Sequence, residues 1–486
     1  MPADELRYAV RFRVVFKYFG QLALAVGLLS LVPLVFSVLY GEIGITLRYI
    51  AVVAVLAALW AGLGRMRAPA NVQPNEAMVL VSLVYLSAPL LMIFPIMASG
   101  ISFMNAFFET VSGITTTGLT AVGTMAGKPA SFLFARAWMQ WYGGLGIVIL
   151  SLALLMRPGI TAKSLAFVGT ETDDLVGSTR AHARRTIIIY GLMTAASLLI
   201  LLIAGLGPLN SLRYSLAAVS TGGFAPQDAS LAAINNRAAA VLITISGIAG
   251  AVPFAFYYRR YEKYRHSAMS LLEVKGLLIA GVLFSILLGM FMALRAGAFT
   301  AETLYHAPLL AFSAQTTTGF STLDPAGLGK AAKLVLILSM AIGGGIGSTA
   351  GGFKVIRLLI FLELFRVMIL RLSSAKRAVI NPTIAGHRLG ESDVRGAAVL
   401  LLLFIGLIFV SWIPFVALGY DPLDSLFEVV SATATVGLST GVTGPDLPAA
   451  LKGVLCVDML LGRLEIVAWL ILLYPGTWIG RRLEHR

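Results

Sequence analysis

Four stretches of this sequence carry the same small set of oxygen-bearing and glycine residues. Residues 116–120 read TTGLT, 221–225 TGGFA, 317–321 TTGFS and 435–439 TVGLS. Each opens on threonine and has glycine in third place. Thr116, Thr117 and Gly118 are therefore matched by Thr221, Gly222 and Gly223, by Thr317, Thr318 and Gly319, and by Thr435, Val436 and Gly437. The chemistry open to such segments is coordination of a dehydrated cation, which needs several oxygen ligands at once and no countercharge that would trap it. Extended backbone offers carbonyls, threonine hydroxyls add a further ring at the inner mouth, and glycine tolerates the dihedrals that let successive carbonyls face one way. A single Thr-x-Gly is an ordinary turn. Four at matched places are not.

The elements that must hold these segments follow from composition. The chain has 486 residues, 58% hydrophobic and 12% charged, with a mean hydropathy of +0.88. A soluble domain carries about 25% charged residues, so the chain reads as an all-α polytopic membrane protein. Expected spans are 18–40, 47–67, 77–99, 131–156, 186–206, 231–258, 271–295, 328–372, 393–418 and 448–475. The first two make a two-helix hairpin, and the other eight form four pairs, each enclosing one copy of the phrase.

Measured from Gly118, Gly223, Gly319 and Gly437, the copies lie 105, 96 and 118 residues apart, an internal repeat of one supersecondary unit. The segment before each glycine is too short to cross a bilayer. It reads as a half-helix that enters from outside and stops midway, its negative dipole end turned towards the repeated phrase. Irregular backbone at membrane depth survives only inside protein or around a wet cavity. The expected fold is thus four span–pore-loop–span repeats with fourfold pseudosymmetry: residues 1–70 as hairpin, then repeats at 71–160, 161–265, 266–380 and 381–486.

The net charge of +14 does not point to nucleic acid, because the cations flank spans instead of forming a stripe with interleaved aromatics. They cluster at Arg7 to Lys17, Arg65 with Arg67, Arg157 to Arg185, Arg259 to Lys275, Arg357 to Arg388, and Arg481 with Arg482. This alternation at every second crossing places both termini in the cytoplasm and the four phrases on the outer side. The lone Cys456 reads as a small buried hydrophobe. The basic N-terminus followed by an apolar run without a small-residue cleavage site reads as a retained first span.

The phrases "FFETVSGITTTGLT", "VSTGGFAPQDAS", "GGGIGSTAGGFKVIR" and "MLLGRLEI" resemble motifs of the TrkH/KtrB/HKT superfamily of potassium transporters, with TrkH the nearer branch. The likeness covers nearly the whole chain, opening hairpin included. It implies potassium uptake through a channel-like pore, with one pore per protomer of a homodimer in the bacterial inner membrane. A cytosolic nucleotide-binding regulatory subunit resembling TrkA is implied as partner, with no cofactor on this chain. Glycine in all four filter places implies potassium selectivity, since sodium-favouring relatives carry serine at the position of Gly118. Gly222, in place of Thr117 and Thr318, and Val436 depart from strict fourfold equality.

Below the ring, residues 328–372 run to twice a bilayer's requirement. Glycine costs about 1 kcal/mol in a helix interior, so Gly343, Gly344, Gly345, Gly347, Gly351 and Gly352 should break this span. With Ser348 and Thr349 they form a polar loop, expected as a movable plug. Twenty-six residues after the origin glycines stand Gly144, Ala249, Gly345 and Arg463. An intramembrane arginine costs at least about 2.5–3.5 kcal/mol unless it faces a cavity or partner. Arg463 is expected to donate to helix-end carbonyls and act as an electrostatic barrier, or alternatively to pair with Glu465 or Asp458.

Weaker candidates are Glu109 and Glu428, which either attract cations or bond the backbone behind the ring, and Asp228 and Asp324 at the outer mouth. Gly345 to Ala350 fits GxGxxA, but that fingerprint needs a preceding strand in a βαβ unit. A nucleotide-binding redox subunit and an ion-coupled K+/H+ or K+/Na+ symporter are the alternatives. The five histidines show no metal-ligand spacing, and no hydrolase, zinc or Walker motif is present. No enzymatic activity is expected.

Overall fold

The computed structural model describes residues 9–69, 72–155, 175–258, 267–375 and 380–480. The expected basic positions Arg7, Arg157, Arg259, Arg481 and Arg482 lie outside the described residues.

Two helices, α1 (Phe12–Leu39) and α2 (Ile43–Leu59), form the opening hairpin. Four sets of helices follow. The first comprises α3 (Pro74–Met97), the half-helix α4 (Phe103–Ile114) and α5 (Ala130–Leu155); the second α6 (Leu175–Ile203), the half-helix α7 (Pro208–Val219), α8 (Arg237–Ala251) and α9 (Phe254–Tyr258). The third has α10 (Ser267–Ala296), the half-helix α11 (Ala301–Gln315), α12 (Lys330–Ile342) and α13 (Val355–Ser373). A small antiparallel hairpin, β1 (Thr383–Ile384) and β2 (His387–Arg388), leads to the fourth: α14 (Glu391–Ala417), the half-helix α15 (Pro422–Thr433), α16 (Ala449–Arg463) and α17 (Val467–Leu473).

Six helical stretches of the described residues are long and apolar enough to span a membrane. They are the two hairpin helices and the first long helix of each set. The chain is a multi-pass membrane protein. The half-helices start where the sequence offers capping groups, which satisfy first-turn N–H donors. Ser102 Oγ accepts from Asn105 N at 3.4 Å, Thr300 Oγ1 from Thr303 N at 3.1 Å, and Asp421 Oδ1 from Leu423 N at 2.9 Å. In the second set Pro208 takes the first helical position instead, where its missing donor is harmless.

The second helix of each set packs on the half-helix of the next: α5 on α7, α8 on α11, α12 on α15, and α16 back on α4. This cyclic order closes the four sets into one body. The chain ends meet as well, through Val10 N donating to Thr477 O at 2.9 Å and Phe12 stacked on Trp478.

Two expected spans need correction. Residues 328–372 break between α12 and α13 as anticipated, but 231–258 and 448–475 also break, at Val252–Pro253 and at 464–466. Pro253 has no N–H to continue a helix and clashes with the preceding turn. In the fourth set, neither proline nor glycine marks the interruption. Glu465 and Ile466 instead adopt φ of 57° and 63°, a conformation costing of order 1–3 kcal/mol per non-glycine residue. Among the second spans of the four sets, only α5 runs unbroken through the described residues.

Candidate cation-binding ring and gate

Each half-helix ends two residues before its threonine: Ile114 before Thr116, Val219 before Thr221, Gln315 before Thr317, and Thr433 before Thr435. The backbone then alternates in hand. Thr116, Thr221, Thr317 and Thr435 have φ of 55°, 52°, 54° and 52°, and Gly118, Gly223, Gly319 and Gly437 have φ of 90°, 77°, 73° and 97°. Thus the third-place glycine is demanded by conformation. Four threonines held in the same rare region are a structural signature, not a coincidence of composition.

The four segments meet in chain order. A methyl group on Gly118 would overlap Gly222 O, one on Gly223 would overlap Thr318 O, one on Gly319 Val436 O, and one on Gly437 Thr117 O. The last contact returns to the first copy. All twelve residues singled out in the sequence therefore lie in one closed ring, and ten of them are buried, Gly118 and Gly437 being half-buried.

Behind the ring, serines and acids tie the strands down. Ser112 Oγ accepts from Gly118 N at 3.0 Å and donates to Leu119 O at 2.6 Å. Ser431 Oγ accepts from Gly437 N at 3.0 Å. Glu109 accepts from Thr120 Oγ1 at 2.6 Å and from Ala121 N at 2.8 Å. Glu428 accepts from Ser439 Oγ, Thr440 N and Thr443 Oγ1 at 2.6, 2.7 and 2.6 Å. Of the two readings left open for these acids, bonding behind the ring is the one seen. Tyr214, which replaces them in the second copy, donates to Gln227 Oε1 at 2.8 Å.

After the second strand Asp228 accepts from Thr124 Oγ1 at 2.9 Å and Met125 N at 2.7 Å, joining the second copy to the first. Asp324 caps a short turn through Ala326 N at 2.9 Å. Both carboxylates are engaged by protein donors.

The glycine loop lies against the threonine end of the ring, where the half-helices stop. Gly351 N donates to Thr317 Oγ1 at 2.8 Å, and a methyl group on Gly351 would overlap Thr435 Oγ1 and Ala434 O. Thr349 Oγ1 reaches Gly250 O at 2.9 Å and Val219 O at 3.2 Å, and Gln315 Nε2 donates to Gly343 O at 2.7 Å. The loop from the third set thus touches the second, third and fourth sets. Gly343, Gly347 and Gly352 take φ of 73°, 70° and 73°. Gly344, Gly345 and Ser348 complete the turn, with Ser348 Oγ donating to Gly345 O at 2.7 Å. No strand precedes Gly345 in the described residues, the only sheet there being the 383–388 hairpin, so the dinucleotide fingerprint lacks its required setting.

Arg463 is buried, and its Nη1 donates to Thr349 O at 2.8 Å. The acceptor belongs to the loop itself and not to a helix end, which corrects the expected partner. The alternative pairing is not formed either: Glu465 is paired with Arg357, and Asp458 accepts from Ser411 Oγ at 2.5 Å. Tyr85, Tyr190 and Lys354 lie within electrostatic reach of Arg463.

Several residues here were missed in the sequence. Arg136 Nε pairs with Glu109 Oε2 at 2.8 Å. Gln140 binds Gly222 O and accepts from Phe224 N at 3.0 Å. Lys354 donates to Ala350 O within the loop, at a non-glycine φ of 82°. Arg136 stands inside an apolar span, and that alone is a signal for an intramembrane ionisable group with a partner.

These features define a membrane protein built to pass an ion. A family model described as TrkH, cation transport protein, matches residues 42–279 and 297–475. An uncharacterized cation transporter of Methanocaldococcus jannaschii is 30% identical over 93% of each chain. The Trk system potassium uptake protein TrkI of Halomonas elongata is 29% identical over 98% of each. The crystal structure of the potassium transporter TrkH from Vibrio parahaemolyticus superposes with a TM-score of 0.85 at 25% identity, covering 97% of this chain and 100% of that one. The chain belongs to the TrkH family of cation transport proteins, which are ion transporters and not enzymes.

Proposed function

We propose that the protein takes potassium up across the bacterial inner membrane, the ion shedding water within the ring formed by the four Thr-x-Gly segments. The observation that carries this reading is the closed cyclic contact of Gly118, Gly223, Gly319 and Gly437, each against the preceding residue's carbonyl in the next copy. Potassium as the ion is also what the names of the Trk relatives state for those proteins. The boundaries 1–70, 71–160, 161–265, 266–380 and 381–486 belong to the same proposal, as units of one hairpin and four pseudo-equivalent repeats. A homodimer with one pore per protomer, and a cytosolic nucleotide-binding subunit resembling TrkA, complete it.

The gate consists of Gly343, Gly344, Gly345, Gly347, Ser348, Thr349 and Arg463. With Gly351 bonded to Thr317 and Arg463 bonded to Thr349, the loop blocks the exit from the ring. Opening requires the loop to leave Thr317, Gly250 and Arg463 together. Each is a single hydrogen bond, worth about 0.5–1.5 kcal/mol net for a neutral pair and more for the charged one, so the closed loop is held firmly but not locked.

Reconstitution into liposomes tests the proposal. Potassium and rubidium flux should exceed sodium flux, and an imposed proton gradient should act only through the voltage it creates. Proton movement in fixed ratio to potassium would replace the pore by a symport mechanism.

A further inference from the structure

One departure from fourfold equality has a spatial explanation. Copies one, three and four carry Thr117, Thr318 and Val436 at the middle position, but the second carries Gly222. Conformation does not require it, because Gly222 is absent from the positive-φ glycines. Space does. A methyl group on Gly222 would overlap the Gln140 carboxamide and stand 2.8 Å from Gln140 Cβ. The relation is inverted at the next interface, where Thr318 fills the space left by Gly247: a methyl there would lie 2.6 Å from Thr318 Oγ1. Small on the strand goes with large on the helix, and large on the strand with small on the helix.

Gln140 does not merely fill the gap. Its Nε2 donates to Gly222 O, and its Oε1 accepts from Phe224 N at 3.0 Å. One turn earlier on α5, on the same face, the Arg136 guanidinium lies 3.8 Å over the Phe224 ring and donates to Ala225 O at 3.3 Å, while Nε holds Glu109 at 2.8 Å. Glu109 in turn anchors Thr120 and Ala121 behind the first strand. Two side chains of one unbroken helix therefore clamp the first and second strands together through five polar or stacking contacts. The corresponding place holds Leu119 and Leu438 in copies one and four and Phe320 in copy three, whose ring packs on Tyr214 instead of a guanidinium.

We infer that Arg136 and Gln140 are selectivity-positioning residues: they fix the second strand against the first so that the ring cannot shrink around a smaller cation. The inference rests on the reading of the ring as the potassium filter. A ring whose carbonyls can close in loses its preference for the larger ion, because discrimination requires that the ligands neither collapse nor multiply around sodium.

The test is paired flux of potassium and sodium through purified, reconstituted protein, with thermal stability measured on the same samples. Arg136→Lys keeps a cation beside Glu109 but lacks the planar group that stacks on Phe224 while reaching Ala225. It should remain folded and lose potassium-over-sodium discrimination several-fold. Gln140→Ala should do the same. Gly222→Thr alone should destabilise, whereas Gly222→Thr with Gln140→Ala should regain stability and part of the discrimination, having adopted the arrangement of Thr318 and Gly247. Discrimination unchanged in both Arg136→Lys and Gln140→Ala would overturn the inference, and so would a double variant no more stable than Gly222→Thr. Gly118→Ser serves as the control on the ring itself. If it too leaves discrimination unchanged, the filter reading has failed; if it alone alters discrimination, only the clamp has.

Discussion

Glu109 and Glu428 occupy the same step of two half-helices and hold the strand after them in the same way, yet their surroundings differ. Glu109 balances the buried Arg136, while Glu428 is surrounded by the hydroxyls of Ser439, Thr440 and Thr443. Replacement should separate the two. Glu109→Gln strands a buried guanidinium and should cost about 3–5 kcal/mol. Glu428→Gln loses only charge assistance from donors that can reorient, about 1 kcal/mol. Thermal denaturation in detergent would show this order, and equal losses would contradict it. Arg463 makes a different prediction. For a separation of about 7 Å, a unit charge at an effective dielectric of about 20 would oppose a passing cation by about 2 kcal/mol, equivalent to about thirtyfold in rate. Arg463→Gln should therefore raise potassium flux by up to that factor, and unchanged flux in a folded variant would count against a barrier. The ring residues were legible because Thr and Gly recur at the same places in every copy, the glycines demanded by their positive φ. Arg136 and Gln140 were not, since contacts between unlike neighbours leave no repeated spelling.

At the scale of elements, the glycine loop was readable from its composition alone, for helix cannot persist through so many glycines. The break before Pro253 carried a signal too, through the proline. The break at 464–466 carried none: it is made by the positive φ of Glu465 and Ile466, where Glu465 pairs with Arg357. In the loop, Gly352 has φ of 73° and its α-carbon lies where a methyl on Gly343 would go. Gly352→Ala should penalise the closed loop by about 1–2 kcal/mol. Its expected effect is a raised basal flux in liposomes lacking any regulatory subunit. Gly351→Ala should act in the same direction, by pushing the loop off Thr435. A decrease in flux from both would mean that the loop supports the conducting state instead of obstructing it.

For the whole molecule, the cyclic packing of α16 on α4 makes the ring complete within a single chain. Mixing active protein with a variant silenced at Gly118 should therefore reduce flux in linear proportion to the inactive fraction, whatever the oligomer. A steeper fall would show that the protomers share one pathway. The fold class was legible from hydropathy and charge placement, but the interruption of three second spans against one continuous α5 was not, because it depends on how neighbouring sets meet. That inequality has an evolutionary meaning. An assembly of four identical subunits must repeat every substitution four times, so a bulky obstruction or a fixed charge near its axis would arrive in quadruplicate and choke it. Writing all four quarters into one gene frees each to diverge: in the proposed reading one quarter contributes a single stopper, another a single cation to hold it, and a third the rigid post against which the aperture is gauged.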